Sequence, residues 1–397
     1  MAVFVYGYDI EILEPMAMYD MKRNKANRIA LSTYFFLSGL CFASWASRIP
    51  TIKALYNFND AQLGTILLVM PLAALVGTVA SGWLVSKFDS RGPLFIAFIG
   101  FALALMAMGL VNTIFLLALM MALFSIAMRV LNVAMNAQSI ALQSQFQKNI
   151  IGGLHGIWSL GGVAGVLVST VMVSYDIAIQ NHFIMISLVT ILASVVAHKF
   201  SLTNDKSTSG NKLILGKPDV FILYLGLLIF FAAICEGGMF DWSGIYFKEV
   251  VKEEIFTYGY LLFMICMATS RFFLDRLLDN IGMPNMYIMS GLCIAMGILM
   301  AIIFPDFWTA LIGFCLVGIG VSAIFPMTYI LAGRSKKYSP GMAISIVGTY
   351  AIVGMFIGPP LIGYLSHAFG LKYAFFILMF CGLMLIPISK LFFKTQK

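Results

Sequence analysis

The stretch Arg129–Gly165, RVLNVAMNAQSIALQSQFQKNIIGGLHGIWSLGGVAG, sets an arginine inside an apolar run, follows it with amides, and continues into a glycine-rich apolar segment carrying His155 and Trp158. At about 3.6 residues per turn, Arg129, Asn132, Asn136, Ser139 and Gln143 share one helical face. Hydrocarbon satisfies no polar group, so such a stripe is expected to line a cavity or to meet another helix rather than lipid. It reads as one wall of a solute pathway.

Composition sets the class in which that reading makes sense. Of 397 residues, 61% are hydrophobic and 11% charged, against about 25% charged in soluble domains. The chain is therefore read as a polytopic membrane protein. Working outward from the opening stretch, apolar runs of spanning length recur twelve times, centred within 29–48, 61–84, 93–111, 114–141, 150–174, 182–199, 219–245, 256–274, 285–304, 308–331, 341–365 and 372–393. One long polar break, SLTNDKSTSGNKLILGKP at 201–218, divides them into segments 28–200 and 219–397. The expected fold is an all-α membrane protein with twelve transmembrane helices in two six-helix bundles. Residues 1–27 lack the features of a signal peptide and read as a cytoplasmic tail. Met16, Met18 and Met21 leave open a downstream translation start.

Orientation follows from the basic residues. With the N-terminus inside, 19 Lys and Arg fall on the cytoplasmic side, Arg271 and Arg276 among them, and five (Arg48, Lys53, Lys248, Lys252 and Lys372) on the other. Both termini and the linker are therefore expected in the cytoplasm. In a soluble chain the net charge of +8 would suit nucleic acid, but here it follows membrane topology, and no nucleic-acid partner is expected.

The acids are sorted as sharply, for only Glu236 and Asp241 lie within an expected span, in FFAAICEGGMFDWSGIYF. Ionisable groups at that depth are costly and commonly functional. Glu236 is read either as a pathway carboxylate, with Gly237-Gly238 forming a hinge or break, or as a structural acid paired with a neighbouring helix. Asp241 is the second ion-coupling candidate. Arg129 is expected to line the cavity or pair across it with Glu236, its guanidinium suiting an anionic or hydroxyl-rich solute, or else to be a structural arginine bonded to carbonyls. His155 could titrate or bond a solute, or simply be a satisfied histidine at a helix contact. Trp158 and Trp45 could stack on a sugar ring or serve packing. Gly152, Gly156, Gly161 and Gly165, and likewise Gly354 and Gly358, carry the spacing of close helix contacts. The six cysteines read as small buried hydrophobes rather than as disulfides or metal ligands. No HExxH, GxSxG or P-loop pattern occurs, so neither an enzyme nor an ATP-driven pump is expected, nor any cofactor or metal.

Two loops carry a weak repeat: GWLVSKFDSRG at 82–92 and RFFLDRLLDNIG at 271–282. Both resemble the cytoplasmic signature of the major facilitator superfamily, with Ser86 standing where the acid belongs in the first copy and Arg271 at the glycine position of the second. Ser86, Lys87, Arg91, Asp275 and Arg276 are the gating candidates. The resemblance sharpens at LNVAMNAQSIALQSQFQKNIIGGLHGIWSLGGVAG (131–165), SWASRIP (44–50), EGGMFDWSGIYF (236–247) and GIGVSAIFPM (318–327), which together look like the fucose-permease-related branch of bacterial facilitators. That resemblance implies alternating access by two pseudo-symmetric bundles about a central site, in a bacterial inner membrane. The proton-linked acids of that branch match Asn132 and Ala46, both neutral here, so its coupling mechanism does not transfer. Asn136 matches the asparagine of the branch's fourth-helix motif and is a candidate for bonding solute.

The sequence thus leads to a secondary transporter of a small hydrophilic organic solute, a sugar or sugar derivative. Arg129, Asn132, Asn136, Gln143, His155, Trp158 and Trp45 are the substrate-site candidates, and Glu236 and Asp241 the groups for a coupled proton or cation. A monomer in the lipid bilayer is the expected state. Multidrug or metabolite efflux, and a transporter-like sensor without net transport, are the alternatives.

Overall fold

The computed structural model describes the chain from residue 10 to residue 396 apart from positions 144, 147–149, 204–218 and 339; for 10–22, 79, 82, 83, 85, 86, 275, 340 and 341 the backbone alone is described. Most of the expected linker at 201–218, and the first nine residues of the expected tail, lie outside the described residues.

Helix is the only regular structure among the described residues. The first half comprises α1 (Ile10–Ser47), α2 (Ile49–Leu55), α3 (Asp60–Leu67), α4 (Val69–Lys87), α5 (Arg91–Leu110), α6 (Ile114–Gln143), α7 (Ile151–Ser174) and α8 (Ile179–Lys199). The second comprises α9 (Val220–Tyr246), α10 (Tyr258–Ile281), α11 (Met283–Ile303), α12 (Phe307–Ser322), α13 (Ile324–Ala332), α14 (Pro340–Phe369), α15 (Leu371–Ala374) and α16 (Phe376–Thr395). Where two short helices abut, as at Leu68, Ala323 and Phe375, they continue one another as a single apolar stretch.

Among the described residues, eleven stretches are long and apolar enough to cross a bilayer, where twelve were expected. The twelfth expected span corresponds to α10, in which the described apolar stretch is the shorter Tyr258–Leu274.

The helices pack mainly within their own half of the chain. α1 lies against α7 and α8, and α6 against α4 and α5; in the second half α9 lies against α14 and α16, and α11 against α12 and α16. Contact between the halves concentrates in two pairs, α3 with α14 and α7 with α10. The first pair ends in a polar tie: Lys53 pairs with both Asp60 and Glu249, and Asp60 accepts a hydrogen bond from Ser366. One turn along, the hydroxyls of Thr65 and Tyr364 are 3.0 Å apart.

Close helix contacts rest on glycine, but on only part of the expected ladder. A Cβ at Gly161 would run into the Phe36 carbonyl, and one at Gly165 would stand 2.5 Å from the Leu40 carbonyl oxygen. Gly39 opposes the Trp158 carbonyl in the same way, so α1 and α7 touch backbone to backbone. Gly152 meets nothing within 4 Å. Spacing alone cannot tell which glycines of a series face a neighbour.

Two further expectations are corrected. Gly237-Gly238 forms no break: α9 runs unbroken to Tyr246, and Gly238 makes room for Ile362 and Leu378 side-chain atoms 2.8 Å from where a Cβ would sit. The irregularity comes later, in a π-helical turn at Phe247–Val251 that ends on left-handed Lys252 (φ +67°). The cysteines are also not all free: Cys266 of α10 and Cys315 of α12 form a disulfide, while Cys41, Cys235, Cys293 and Cys381 are unpaired. The two partners lie 49 residues apart and meet only because α10 and α12 pack together.

Gly161→Ala should lower stability by about 1–3 kcal/mol, the usual cost of overpacking, whereas Gly152→Ala should leave it unchanged or raise it slightly. Thermal unfolding of the two variants in detergent checks this, and equal melting temperatures would contradict the backbone contact of α1 with α7.

Candidate solute-binding site

Glu236 is buried in the interior of α9, and its partner is Arg271 rather than Arg129. Arg271 Nη2 donates to Glu236 Oε1 at 3.3 Å, and Arg271 Nη1 donates to Ser159 Oγ on α7 at 3.0 Å. Ser159 in turn donates to the His155 carbonyl at 3.3 Å. One guanidinium thus ties an acid of the second half to a hydroxyl of the first. Arg271 Nε is buried without a hydrogen-bond partner among the described residues.

The reading of 271–282 as a loop is therefore corrected, for α10 runs to Ile281 and carries Arg271 within it. Arg271 lies thirteen residues beyond Tyr258, the first residue of α10, or roughly 20 Å along the axis at about 1.5 Å per residue. The loop repeat obscured it by assigning Arg271 to a surface signature. A usable signal was present, for an arginine that deep in a helix needs a partner, and Glu236 and Asp241 were the acids of the preceding span.

Arg129 does not pair with Glu236. Its Nε donates to Thr78 Oγ1 of α4 at 2.9 Å, and its stem fills the space facing Gly77. It is half-buried and belongs to no ion pair among the described residues. Asn132 is half-buried and Asn136 exposed on the face of α6 that carries Arg129. His155 is exposed, with Phe35 edge-on at 5.3 Å.

An aromatic row borders this cluster. Trp158 and Phe42 have ring centroids 6.3 Å apart, Phe42 and Phe240 are T-shaped at 5.5 Å, and Phe240 meets Tyr260 at 5.9 Å. The row crosses from α7 and α1 to α9 and α10. Tyr260 is buried, its hydroxyl has no hydrogen-bond partner among the described residues, and it lies within electrostatic reach of Asp241 and Glu236. Asp241 is half-buried.

Other expected site residues are occupied elsewhere. Trp45 is fully buried and packs on Phe124 within the first half, so it is a core residue. Gln143 bridges the α6–α7 connection, accepting from Ile150 N at 2.8 Å and donating to the Phe146 carbonyl at 3.4 Å. Helical phase put Gln143 on the polar face, but the turn at the end of α6 redirects it to the backbone. Of the gating candidates, Arg91 donates through Nε and Nη2 to the His198 carbonyl at 3.2 and 2.9 Å. It caps α8 of its own half instead of reaching across. Lys87 is exposed and lies 5.6 Å from the Phe88 ring centroid, and Arg276 is exposed. The side chains of Ser86 and Asp275 lie outside the described residues.

A multi-pass helical chain whose halves meet around a buried ion pair and an exposed amide face has the organisation of a membrane transport protein. The sequence model of the Major Facilitator Superfamily matches residues 30–332 and 256–397, and the chain belongs to that family. It is 27% identical over 352 residues to an uncharacterized MFS-type transporter of Yersinia pestis, covering 88% of this chain and 91% of that one. It is 28% identical over 374 residues to the membrane protein MosC of Rhizobium meliloti, covering 93% of this chain and 90% of that one. Among solved structures, a mutant of the nucleoside transporter NupG superposes with a TM-score of 0.74 at 13% identity over 92% of this chain and 99% of that one. A bacterial homologue of the human lysosomal transporter Spinster, in an inward-facing and occupied conformation, superposes with a TM-score of 0.74 at 13% identity over 93% and 96%. These structures share the fold.

Arg271→Ala should destabilise the protein by about 3–5 kcal/mol, because it leaves Glu236 buried without its counter-ion. Adding Glu236→Gln should restore most of the loss. Melting temperatures of the two single variants and the double variant supply the cycle; simple additivity would exclude the pair as an energetic unit.

Proposed function

We propose that the protein is a secondary transporter working by alternating access, and that it moves a small hydrophilic organic solute, a sugar or sugar derivative, across a bacterial inner membrane. The observation that carries this reading is the Arg271 bridge, which joins Glu236 of α9 to Ser159 of α7 and so links the two halves through a charged pair. A polar site at a seam between moving parts is what alternating access requires. In this reading α10 is the twelfth span, the halves are two pseudo-symmetric six-helix bundles, and both termini lie in the cytoplasm. The fucose-permease-related branch is the placement within the family that the motifs favour.

The proposed orientation puts the Lys53–Asp60–Glu249–Ser366 tie at the outer mouth. Its closure supports a state sealed to the outside, with solute access from the cytoplasm. Asn132, Asn136, His155 and Trp158 are the proposed solute contacts, and Glu236, with Asp241 as second candidate, the proposed coupling group. A carboxylate can take up and release a proton at such a seam, while the guanidinium stays charged. Efflux of lipophilic compounds is the second reading, favoured by the row of Phe42, Phe240 and Tyr260 beside the polar cluster.

Reconstitution into proteoliposomes tests transport directly: the wild type should exchange a labelled sugar or sugar derivative, and Glu236→Gln should reduce the flux to background while the protein remains monodisperse. Uptake of lipophilic cations alone would shift the assignment to efflux. The outer tie yields a separate expectation. In Asp60→Cys combined with Ser366→Cys, oxidation should arrest exchange and reduction restore it; undiminished exchange after complete cross-linking would show that this end does not open during turnover.

A further inference from the structure

A groove of about 500 Å³ is lined by α1 and α7, which pack together. Its lining changes character along α1. Lys25 and Arg28, both exposed, stand at one end, and the apolar side chains of Ile29, Phe36 and, from α7, Ile157 form the rest of the wall with Ser32. Lys25, Ile29, Ser32 and Phe36 follow one another at steps of three or four residues and so lie in line on one helical face. That line is roughly 16 Å long at about 1.5 Å per residue.

The two cations have no carboxylate within ion-pair distance among the described residues. Arg28 lies instead over the Phe146 ring, 5.6 Å from its centroid. An aromatic face steadies a guanidinium without supplying a counter-charge, so the N–H edge stays available to an anion. Lys25 and Arg28 sit in the first turns of the apolar stretch Arg23–Ser47, at the level of a bilayer's headgroups, and Phe36 sits at the level of its hydrocarbon. Ile29, one residue beyond Arg28, keeps 68% of its surface uncovered. Within a spanning helix such a side chain is covered by an acyl chain rather than by water. The larger hollow on α5 and α6, about 660 Å³ and bordered by Ile96, Gly100 and Ala127, has no charged residue in its lining and therefore selects no headgroup.

We propose that the groove between α1 and α7 binds one anionic phospholipid, its phosphate held by Lys25 and Arg28 and an acyl chain laid along Ile29, Phe36 and Ile157. Charge and apolar surface are arranged in the order in which such a lipid presents them. The lipid bears on α7 at Ile157, two residues before Ser159, which accepts from Arg271.

Native mass spectrometry of the detergent-solubilised protein tests this with phosphatidylglycerol, phosphatidylcholine of the same acyl chains, and glycerol 3-phosphate. Binding is read without flux, so the result is independent of the transport reading. The wild type should take up one phosphatidylglycerol about 5- to 30-fold more tightly than phosphatidylcholine, the range for one or two basic contacts at a membrane surface. In Lys25→Gln combined with Arg28→Gln that preference should vanish. In Lys336→Gln combined with Lys337→Gln, which removes the same charge from other exposed positions, it should persist. Ile29→Asn should weaken both lipids alike, and size-exclusion profiles establish that each variant folds. Equal binding of the two lipids by the wild type, or a preference retained without Lys25 and Arg28, would overturn the site. Equal loss in both double variants would replace it with diffuse attraction to the net positive charge. Undiminished lipid binding by Ile29→Asn would overturn the seating of the acyl chain, and glycerol 3-phosphate bound as tightly as phosphatidylglycerol would overturn the lipid in favour of a soluble anion.

Discussion

A guanidinium and a carboxylate placed inside a bundle of apolar helices constrain everything around them. Arg271 and Glu236 can remain ionised at that depth only in each other's company, because hydrocarbon offers neither of them water. Their bond fixes the rotation of α9 and α10, so that residue 236 on one helix faces residue 271 on the other. The third contact, to Ser159, extends the constraint to α7 and to the other half of the chain. A purely apolar seam would hold the halves by packing alone. A charged seam holds them through a bond that a proton, an ion or a solute can compete for.

The remainder of the fold serves that seam by bringing helices close. Gly39, Gly161 and Gly165 let α1 and α7 touch through their backbones, which sets Trp158 beside Phe42 and His155 beside Phe35. Gly64 and Gly363 do the same for α3 and α14, where each would hold a Cβ about 3 Å from the other's Cα. That approach brings Asp60 to Ser366 and leaves Lys53 shared between Asp60 and Glu249. Small residues make the seams narrow, and polar residues make them specific.

The polar stripe on α6 gives one wall of the region its character. Arg129 bonds Thr78, Asn136 is exposed, and Gln143, one more step along the same face, is drawn into the connection to α7. A single helical face thus stays exposed at Asn136, while its end closes a turn.

Several properties were determined by the sequence itself, because they depend on composition and local periodicity. The membrane class follows from the scarcity of charge, and eleven spans are legible as apolar runs of sufficient length. Glu236 and Arg129 stood out because a charge inside such a run has few harmless explanations. Pairing was decided only by tertiary structure. Glu236 turned to Arg271 rather than Arg129, Cys266 met Cys315, Trp45 entered the core, and Gly152 faced open space while Gly161 met backbone. Each of these depends on how helices distant in sequence are rotated against one another. Periodicity places a residue on a face, but the packing of both halves decides what that face meets.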